Sequence, residues 1–185
     1  MKYAVDNITG TVVADTGTAG SGPTQLNSPR GMSVDKTGAI IVADSLNYRI
    51  QRFPSGSLVG TTIVMNSSNN SFGQLRDLNI DINEAIYLAD LNYHRIIKYY
   101  PNNSIGVVLA GSATTGSGSD QINNPFGSFI DRSETLYIAD DGNDRVQMWL
   151  HGATNGTTVA GVTGSNGSTL AQLDGPRSVL VDNNG

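Results

Sequence analysis

PRGMSVDKTGAIIVADSLNYRIQRF (residues 29–53) is the stretch that decides the fold, because the chain repeats it. Ungapped copies follow as LRDLNIDINEAIYLADLNYHRIIKY (75–99) and PFGSFIDRSETLYIADDGNDRVQMW (125–149), and a further copy begins at Pro176. Successive copies start 46, 50 and 51 residues apart, and all of the length variation falls between them. A repeat of this length indicates an array of supersecondary units that bury their apolar faces against one another.

Each copy has the pattern of several short β-strands separated by turns. A short apolar stretch (32–34) precedes Asp-Lys-Thr-Gly (35–38), a turn in which Asp bonds back to the backbone and Gly takes a positive φ. The next run, Ile-Ile-Val-Ala (40–43), is continuously apolar, which is typical of a strand buried on both faces. A mixed strand (50–53) and a strand rich in Thr and Val (61–64) complete the unit. Four antiparallel strands in about 40 to 50 residues predict a β-propeller blade.

The sequence therefore predicts an all-β, open β-propeller segment of about three and a half four-stranded antiparallel blades in one domain. Propellers close with about four to eight blades, so the end strands are expected to present unpaired N–H and C=O groups. The remainder of the same propeller or a second copy of the chain would close the ring. The predicted divisions are the end of a preceding blade and a connection at 1–28 (with a strand at 11–13), blades at 29–74, 75–124 and 125–175, and the first strand of a truncated blade at 176–185.

The copies share a consensus: Pro-x-Gly, an apolar strand ending in Asp, an apolar run ending in Ala-Asp, and Arg five residues after that Asp. This consensus resembles the NHL repeat over essentially the whole chain. The second copy departs from it at Leu75 and Asp77, so a different entry turn is expected there. The residues that carry the resemblance are Pro29, Gly31, Asp35, Ala43, Asp44, Asn47, Arg49 and Ile50, then Asp81, Ala89, Asp90, Arg95 and Ile96, and finally Pro125, Gly127, Asp131, Ala139, Asp140, Asn143, Arg145 and Val146.

The resemblance implies a fold and leaves the function open. It implies a propeller, commonly a six-bladed one. NHL propellers occur as RNA- or protein-binding domains of tripartite-motif-type regulators, as extracellular sensor domains of bacterial kinases, and in a peptide-amidating lyase that uses metal. Because one fold hosts several functions, the resemblance does not choose among these.

The composition excludes some classes of function. The formal net charge is −5, whereas nucleic-acid and membrane-surface binding need clustered Lys and Arg. The chain has no cysteine, which removes disulfides, thiol catalysis and Cys-based zinc sites, and no apolar run approaches the length of a membrane segment. Candidate N-glycosylation sequons favour an extracellular or cell-surface glycoprotein, and they lie at Asn7, Asn66, Asn69, Asn102, Asn155 and Asn166.

The strand order places two sets of loops on one side of the propeller, because the second strand of a blade returns to the side from which the first began. One set is the turns after the second strands (45–48, 91–94 and 141–144). The other is the connections between blades (15–28, 66–74, 111–124 and 161–175). Loops on a rigid scaffold often carry function, so this side is the predicted binding face, with Tyr48, Tyr93 and His94 as candidate contacts. The aromatic residues Tyr48, Tyr93 and Phe72 either are exposed there as binding anchors or pack under the long loops.

Two sets of charged residues recur at fixed positions. The pairs Asp44/Arg49, Asp90/Arg95 and Asp140/Arg145 flank a tight turn; they form either a repeated anion site or a structural salt bridge within each blade, and their identical spacing favours the structural interpretation. Just before the innermost strand stand Arg30, Arg76 and Arg177, with Phe126 in the third copy. These guanidinium groups would either hold an anionic ligand at the channel mouth or each pair with a neighbouring Asp, and the second interpretation is the simpler one.

The sequence predicts no metal, no cofactor and no catalytic residue. His94 and His151 fall at non-equivalent places, and the recurring Asp35, Asp81, Asp131 and Asp182 suit Asx-type turns. The leading hypothesis is a non-catalytic interaction module or scaffold that binds a protein or other macromolecule through its loop face. The alternative is a fragment of a metal-dependent propeller enzyme, a lyase or hydrolase, with its site in the central channel. Nucleic acid is the partner that the acidic charge disfavours.

Overall fold

The computed structural model describes residues 10–68, 70–112 and 114–182 and shows three four-stranded antiparallel sheets in an open arc, which confirms the predicted fold. We call these sheets blades 1, 2 and 3. Blade 1 comprises β1 (Pro29–Val34), β2 (Ile40–Asp44), β3 (Arg49–Phe53) and β4 (Thr61–Met65). Blade 2 comprises β5 (Leu75–Ile80), β6 (Ile86–Asp90), β7 (Arg95–Tyr99) and β8 (Val107–Ala110), and blade 3 comprises β9 (Pro125–Ile130), β10 (Leu136–Asp140), β11 (Arg145–Trp149) and β12 (Thr157–Gly161).

The second strand of each blade is buried on both faces, as its continuous apolar run predicts. In blade 2, every residue of β6 is buried. One face of the sheet packs against the blade before it and the other against the blade after it, so side chains of both orientations lie in a core. Short 3-10 turns, Ser45–Asn47 and Asp141–Asn143, join the second strand to the third in blades 1 and 3.

Two apolar cores hold the blades together. The core between blades 1 and 2 includes Ile41 and Ile50 from the first sheet and Leu88 and Tyr99 from the second. The core between blades 2 and 3 joins the opposite face of blade 2 to the third sheet and includes Tyr87, Ile96, Ile138 and Trp149. Burial of large side chains on both faces of blade 2 is the main stabilising term of such an array.

The inner strands β1, β5 and β9 lie side by side, and glycine permits their close approach. A Cβ atom at Gly31 would lie 2.2 Å from the backbone nitrogen of Leu78 in β5. Blade 2 has Asp77 instead, and its Oδ2 accepts a hydrogen bond from the backbone N–H of Ser128 in β9 at 2.8 Å. The departure of the second copy from the consensus thus replaces a backbone contact with a side-chain bridge. β5 still pairs with β6 with its irregularity at the same end as in β1, so the expected difference at the entry turn does not appear in the pairing.

The two ends of the described chain lie outside the three sheets. Residues 176–182 form no strand, although the carbonyl oxygen of Arg177 would lie 2.5 Å from a Cβ atom at Gly127 of β9. An inner strand pairs with the second strand of its own blade, and no such strand lies beside these residues in the described part of the chain. Residues 11–13 likewise add no strand to the three sheets. The assignment of both ends to further blades stays a prediction. No helix among the described residues has the length and apolar character needed to cross a membrane.

Candidate binding face

The turns after the second strands and the connections between blades lie on one side of the molecule, as predicted, and we call this side the loop face. Each turn is hydrogen-bonded to the connection that precedes its own blade. The backbone N–H of Leu46 donates to the carbonyl of Asn27 at 3.1 Å, and that of Leu91 donates to Gln74 at 2.9 Å. Gly142 donates in the same way to Asn123 at 2.9 Å. The loop face is therefore a continuous structure around the three blades.

A buried Asp–Arg pair fixes the connection before blade 1. The Arg49 Nε donates to the Asp44 carboxylate at 2.7 Å, and both side chains are almost fully buried. The remaining guanidinium nitrogens donate to backbone carbonyls of the connection: to Ser21 at 2.7 Å, to Gly22 at 3.1 Å and to Gln25 at 2.9 Å. We call this arrangement the clamp. It binds the connection to the blade and leaves the guanidinium group enclosed by protein acceptors.

Blade 3 repeats the clamp with nearly the same distances. Arg145 donates to Asp140 at 2.8 Å, to the carbonyl of Ser117 at 2.9 Å and to the carbonyls of Gly118 and Gln121, both at 3.0 Å. Burial raises the pKa of Asp140, against the opposing effect of the hydrogen bonds that its carboxylate accepts. In both blades the pair binds the neighbouring connection as well as its own blade.

An asparagine completes the clamp in blades 1 and 3. The side-chain amides of Asn47 and Asn143 each donate to the clamp carboxylate at 2.8 Å. Each also donates to a glycine carbonyl of the connection, Gly20 or Gly116, at 2.8 Å. Sequence reasoning missed this contact, although a signal exists: both connections contain Gly-Ser-Gly-x-x-Gln, at 20–25 and 116–121.

The clamp of blade 2 is looser. The Arg95 Nε lies 3.2 Å from the Asp90 carboxylate, and its guanidinium group bonds to the carbonyl of Ser71 in a shorter connection. Tyr93 replaces the asparagine, and its ring lies 4.8 Å from the Arg95 guanidinium carbon. Burial raises the pKa of Asp90, while the backbone N–H of Gly73 donates to the carboxylate and opposes the shift.

The predicted rim residues have different environments. Tyr48 and Tyr93 are both exposed on the loop face, at 39% and 38% of their surface. His94 is half-buried, and its Nδ1 accepts a hydrogen bond from the backbone N–H of Asn124 at 3.1 Å. Leu46, which sequence reasoning did not select, is 44% exposed in the turn beside Tyr48. The exposed apolar residues of these turns are therefore Leu46, Tyr48 and Tyr93. Phe72 is buried in the core between blades 1 and 2 and is not an exposed anchor.

The residues Arg30, Arg76, Phe126 and Arg177, which we call the Arg row, come together at the inner edge of the loop face. The guanidinium carbons of Arg76 and Arg177 each lie 5.1 Å from the centre of the Phe126 ring. Burial, followed by the charges of Arg30 and Arg177, lowers the pKa of Arg76. The sequence also allowed each of these arginines to pair with a neighbouring Asp. Among the described residues, this interpretation fits only Arg177, whose Nε lies 3.8 Å from the Asp141 carboxylate.

The aspartates on the opposite side form the predicted Asx-type turns. One oxygen of Asp35 accepts from the backbone N–H groups of Thr37 and Ala39, both at 2.9 Å. Burial raises the pKa of Asp35, but hydrogen bonds from Thr37, Ala39 and Arg52 outweigh it and lower the pKa to about 2. Asp81 and Asp131 accept equivalent backbone bonds.

Within residues 10–68, 70–112 and 114–182, no three His, Asp or Glu side chains are grouped so that they could hold a metal ion. The imidazole of His151 lies on the side opposite the loop face, with its Nδ1 3.3 Å from the carboxylate of Glu134. Four sequon asparagines are exposed: Asn66, Asn102, Asn155 and Asn166. Asn7 and Asn69 lie outside the described residues.

Comparison with known proteins identifies the repeat and the fold. Residues 26–53 match the NHL repeat family. A search of curated proteins found no significant match. Among solved structures, a protein of unknown function from Bacteroides thetaiotaomicron VPI-5482 is similar at 20% identity, with 82% of this chain and 42% of that chain covered and a TM-score of 0.69.

Two further solved structures share the architecture. One is a chain of the nidogen/laminin complex (20% identity, 73% of this chain, 49% of that chain, TM-score 0.59). The other is a streptogramin B lyase (12% identity, 72% of this chain, 40% of that chain, TM-score 0.55). The chain spans about two fifths to one half of the length of these proteins, and identities this low show the fold alone. The chain is an open β-propeller segment that carries an NHL repeat at residues 26–53.

Proposed function

We propose that this chain is a non-catalytic interaction module whose loop face binds a protein or other macromolecular partner. The observation that carries the proposal is that Leu46, Tyr48 and Tyr93 are exposed on turns of the loop face. The clamp of blade 1 holds the connection to which the turn of Leu46 and Tyr48 is hydrogen-bonded. Exposed aromatic and aliphatic side chains on a preformed surface lose little conformational entropy on binding, and Tyr is enriched among the residues that dominate binding energy.

The backbone of Tyr48 supports this proposal. Its φ is +49°, in the left-handed region that costs a bulky residue free energy, and blade 3 has Asp144 at the equivalent position with φ +55°. The turn holds Tyr48 there through its N–H, which donates to Ser45 at 3.3 Å, and its carbonyl, which accepts from Asn66 at 3.0 Å. Asp is better tolerated in this region, so an exposed tyrosine costs stability, as is typical of a functional position.

A protein partner fits the charge of the chain better than nucleic acid does. The net charge is −5, and carboxylates such as Asp141 and Asp144 stand on the loop face itself. A phosphate backbone would be repelled by these groups, whereas the core of a protein–protein interface is depleted of charged residues. The likeness to a chain of the nidogen/laminin complex is compatible with a protein partner. The exposed sequons support an extracellular setting, which glycan removal followed by mass measurement of the native protein would test.

The test is the binding of peptides selected from a displayed library against this chain. We expect Leu46→Ser and Tyr48→Asn each to raise the dissociation constant of the selected peptides at least tenfold, because the loop face supplies the contacts. Matched controls lie on the opposite side: Leu58→Ser and Tyr100→Asn, whose parent residues are 40% and 49% exposed. If the control variants lose binding and the loop-face variants keep it, the proposed face is wrong.

A further inference from the structure

The Arg row crosses the inner edge of the loop face because equivalent positions of adjacent inner strands carry it. Arg30, Arg76 and Phe126 are each the second residue of β1, β5 and β9, and Arg177 follows in the segment beside β9. The close approach of β1 and β5 at Gly31 brings these positions together. The guanidinium groups of Arg76 and Arg177 therefore both lie against the Phe126 ring, and the charge of Arg30 is close enough to lower the pKa of Arg76.

One nearby carboxylate, that of Asp141, only partly balances this positive charge: it lies 3.8 Å from Arg177 and opposes the lowering of the Arg76 pKa. Within the described residues, Arg49, Arg52 and Arg145 form ion pairs at 2.7 to 2.8 Å, and Arg95 forms one at 3.2 Å. Arg30 and Arg76 have no carboxylate within ion-pair distance in the described part of the chain, and Arg177 has only the contact of 3.8 Å with Asp141. In a chain with 16 acidic and 11 basic residues, a group of cations that carboxylates balance only in part is unexpected. Such a group attracts an anion from outside.

Arg76 carries the more specific evidence. Its Nε is buried, and no hydrogen-bond partner reaches it. A buried donor without an acceptor is destabilising, so a rearrangement of the site that lets an acceptor from a ligand reach this atom would recover stability. The depressed pKa of Arg76 has the same physical origin, because burial and the two neighbouring cations both disfavour its charge. A bound anion would remove both penalties.

We infer that the Arg row is a subsite for one carboxylate group, presented by an acidic side chain or the C-terminus of the protein that the loop face binds. This inference rests on the proposed function. A planar guanidinium group pairs with a carboxylate through two parallel hydrogen bonds, and the Phe126 ring packs against apolar atoms next to it. A polyanion such as nucleic acid would extend past the row and meet Asp141 and Asp144.

The subsite can be tested by NMR of the arginine Nε–Hε groups in this chain, with succinate, inorganic phosphate and a single-stranded oligonucleotide as separate probes. Succinate is expected to shift the Arg76 resonance, which is identified by its loss in Arg76→Lys. Arg177→Gln should weaken succinate binding at least tenfold, and this side chain is 73% exposed, so the fold should tolerate the change. Arg132→Gln, an exposed arginine on the opposite side, is the matched control and should bind succinate as the parent chain does.

The following results would overturn the inference. A resonance that succinate leaves unmoved, or an equal loss of binding in Arg132→Gln, excludes a carboxylate subsite. Binding of the oligonucleotide or phosphate in preference to succinate replaces the carboxylate with a phosphate ligand. The selected peptides separate the subsite from the proposed function: if Leu46→Ser weakens their binding and Arg177→Gln does not, the subsite is wrong and the face stands. If neither variant changes their affinity, the proposed function fails as well.

Discussion

Blades 1 and 3 enclose their clamp arginines more completely than blade 2 does. The side chains of Arg49 and Arg145 are 6% and 3% exposed, whereas that of Arg95 is 15% exposed. In blades 1 and 3, the guanidinium group donates to three carbonyls of a long connection. In blade 2 the described part of the shorter connection supplies the carbonyl of Ser71, and Tyr93 covers the guanidinium group with its ring.

The difference shows which part of the repeat determines how deeply the clamp arginine is buried. The Asp–Arg pair is present in all three blades, so the pair alone does not set how deeply the arginine is buried. The length of the connection and the residue at the Asn47, Tyr93 and Asn143 position set it. Blade 2 therefore has the loop segment least restrained by the clamp, and blades 1 and 3 have the most rigid parts of the loop face.

The largest effect is expected from removing a fully enclosed arginine. Arg145→Ala leaves the Asp140 carboxylate buried without its counter-ion and should lower the free energy of unfolding by about 3–5 kcal/mol. Arg95→Ala removes the counter-ion of Asp90 from a less enclosed clamp and should lower the free energy of unfolding by about 1–3 kcal/mol. Urea unfolding of the two variants, with Arg132→Ala as a surface control, measures the difference. Equal losses for Arg95 and Arg145 would show that the enclosure of the clamp contributes nothing.

A smaller effect is expected at the position where the blades differ. Asn143→Ala removes two hydrogen bonds of 2.8 Å and should lower the free energy of unfolding by about 1–3 kcal/mol. Tyr93→Asn places in blade 2 the asparagine that blades 1 and 3 have at this position. We expect it to change the free energy of unfolding by no more than about 0.5 kcal/mol, because the tyrosine is partly exposed. Thermal unfolding resolves both changes. A loss at Tyr93 as large as that at Asn143 would mean that the aromatic ring is an equal substitute for the amide.

The sequence predicted the fold because the signals for it are periodic. The run ending at Asp90 recurs at Asp44 and Asp140, and burial on both faces follows from its continuous apolar character. The reach of the clamp into the connection was not predicted, because the acceptors are backbone carbonyls at residues such as Ser21 and Ser117, whose side chains play no part. A backbone acceptor leaves no direct mark in the sequence, and the signal that exists here is the recurrence of Gly-Ser-Gly-x-x-Gln at 20–25 and 116–121.

The candidate site was predictable in position and less so in detail. The strand order is sufficient to place Tyr48 and Tyr93 on the loop face. It does not show that Leu46 is exposed, or that His94 is engaged by the connection through Asn124. The Arg row could be listed from the repeat, but the lack of a partner for the Arg76 Nε depends on the packing of β5 against its neighbours. Tertiary packing of this kind is not encoded in local sequence patterns.

Hydrogen–deuterium exchange with and without a selected peptide tests the central claim, that the loop face is the binding surface, most directly. The account predicts that the peptide slows exchange at 45–48, 91–94 and 141–144 and in the connections that precede these turns. Exchange in the turns on the opposite side, at 35–39, 81–85 and 131–135, should be unchanged. Protection confined to those opposite turns, with the loop face exchanging as in the free chain, would contradict the account.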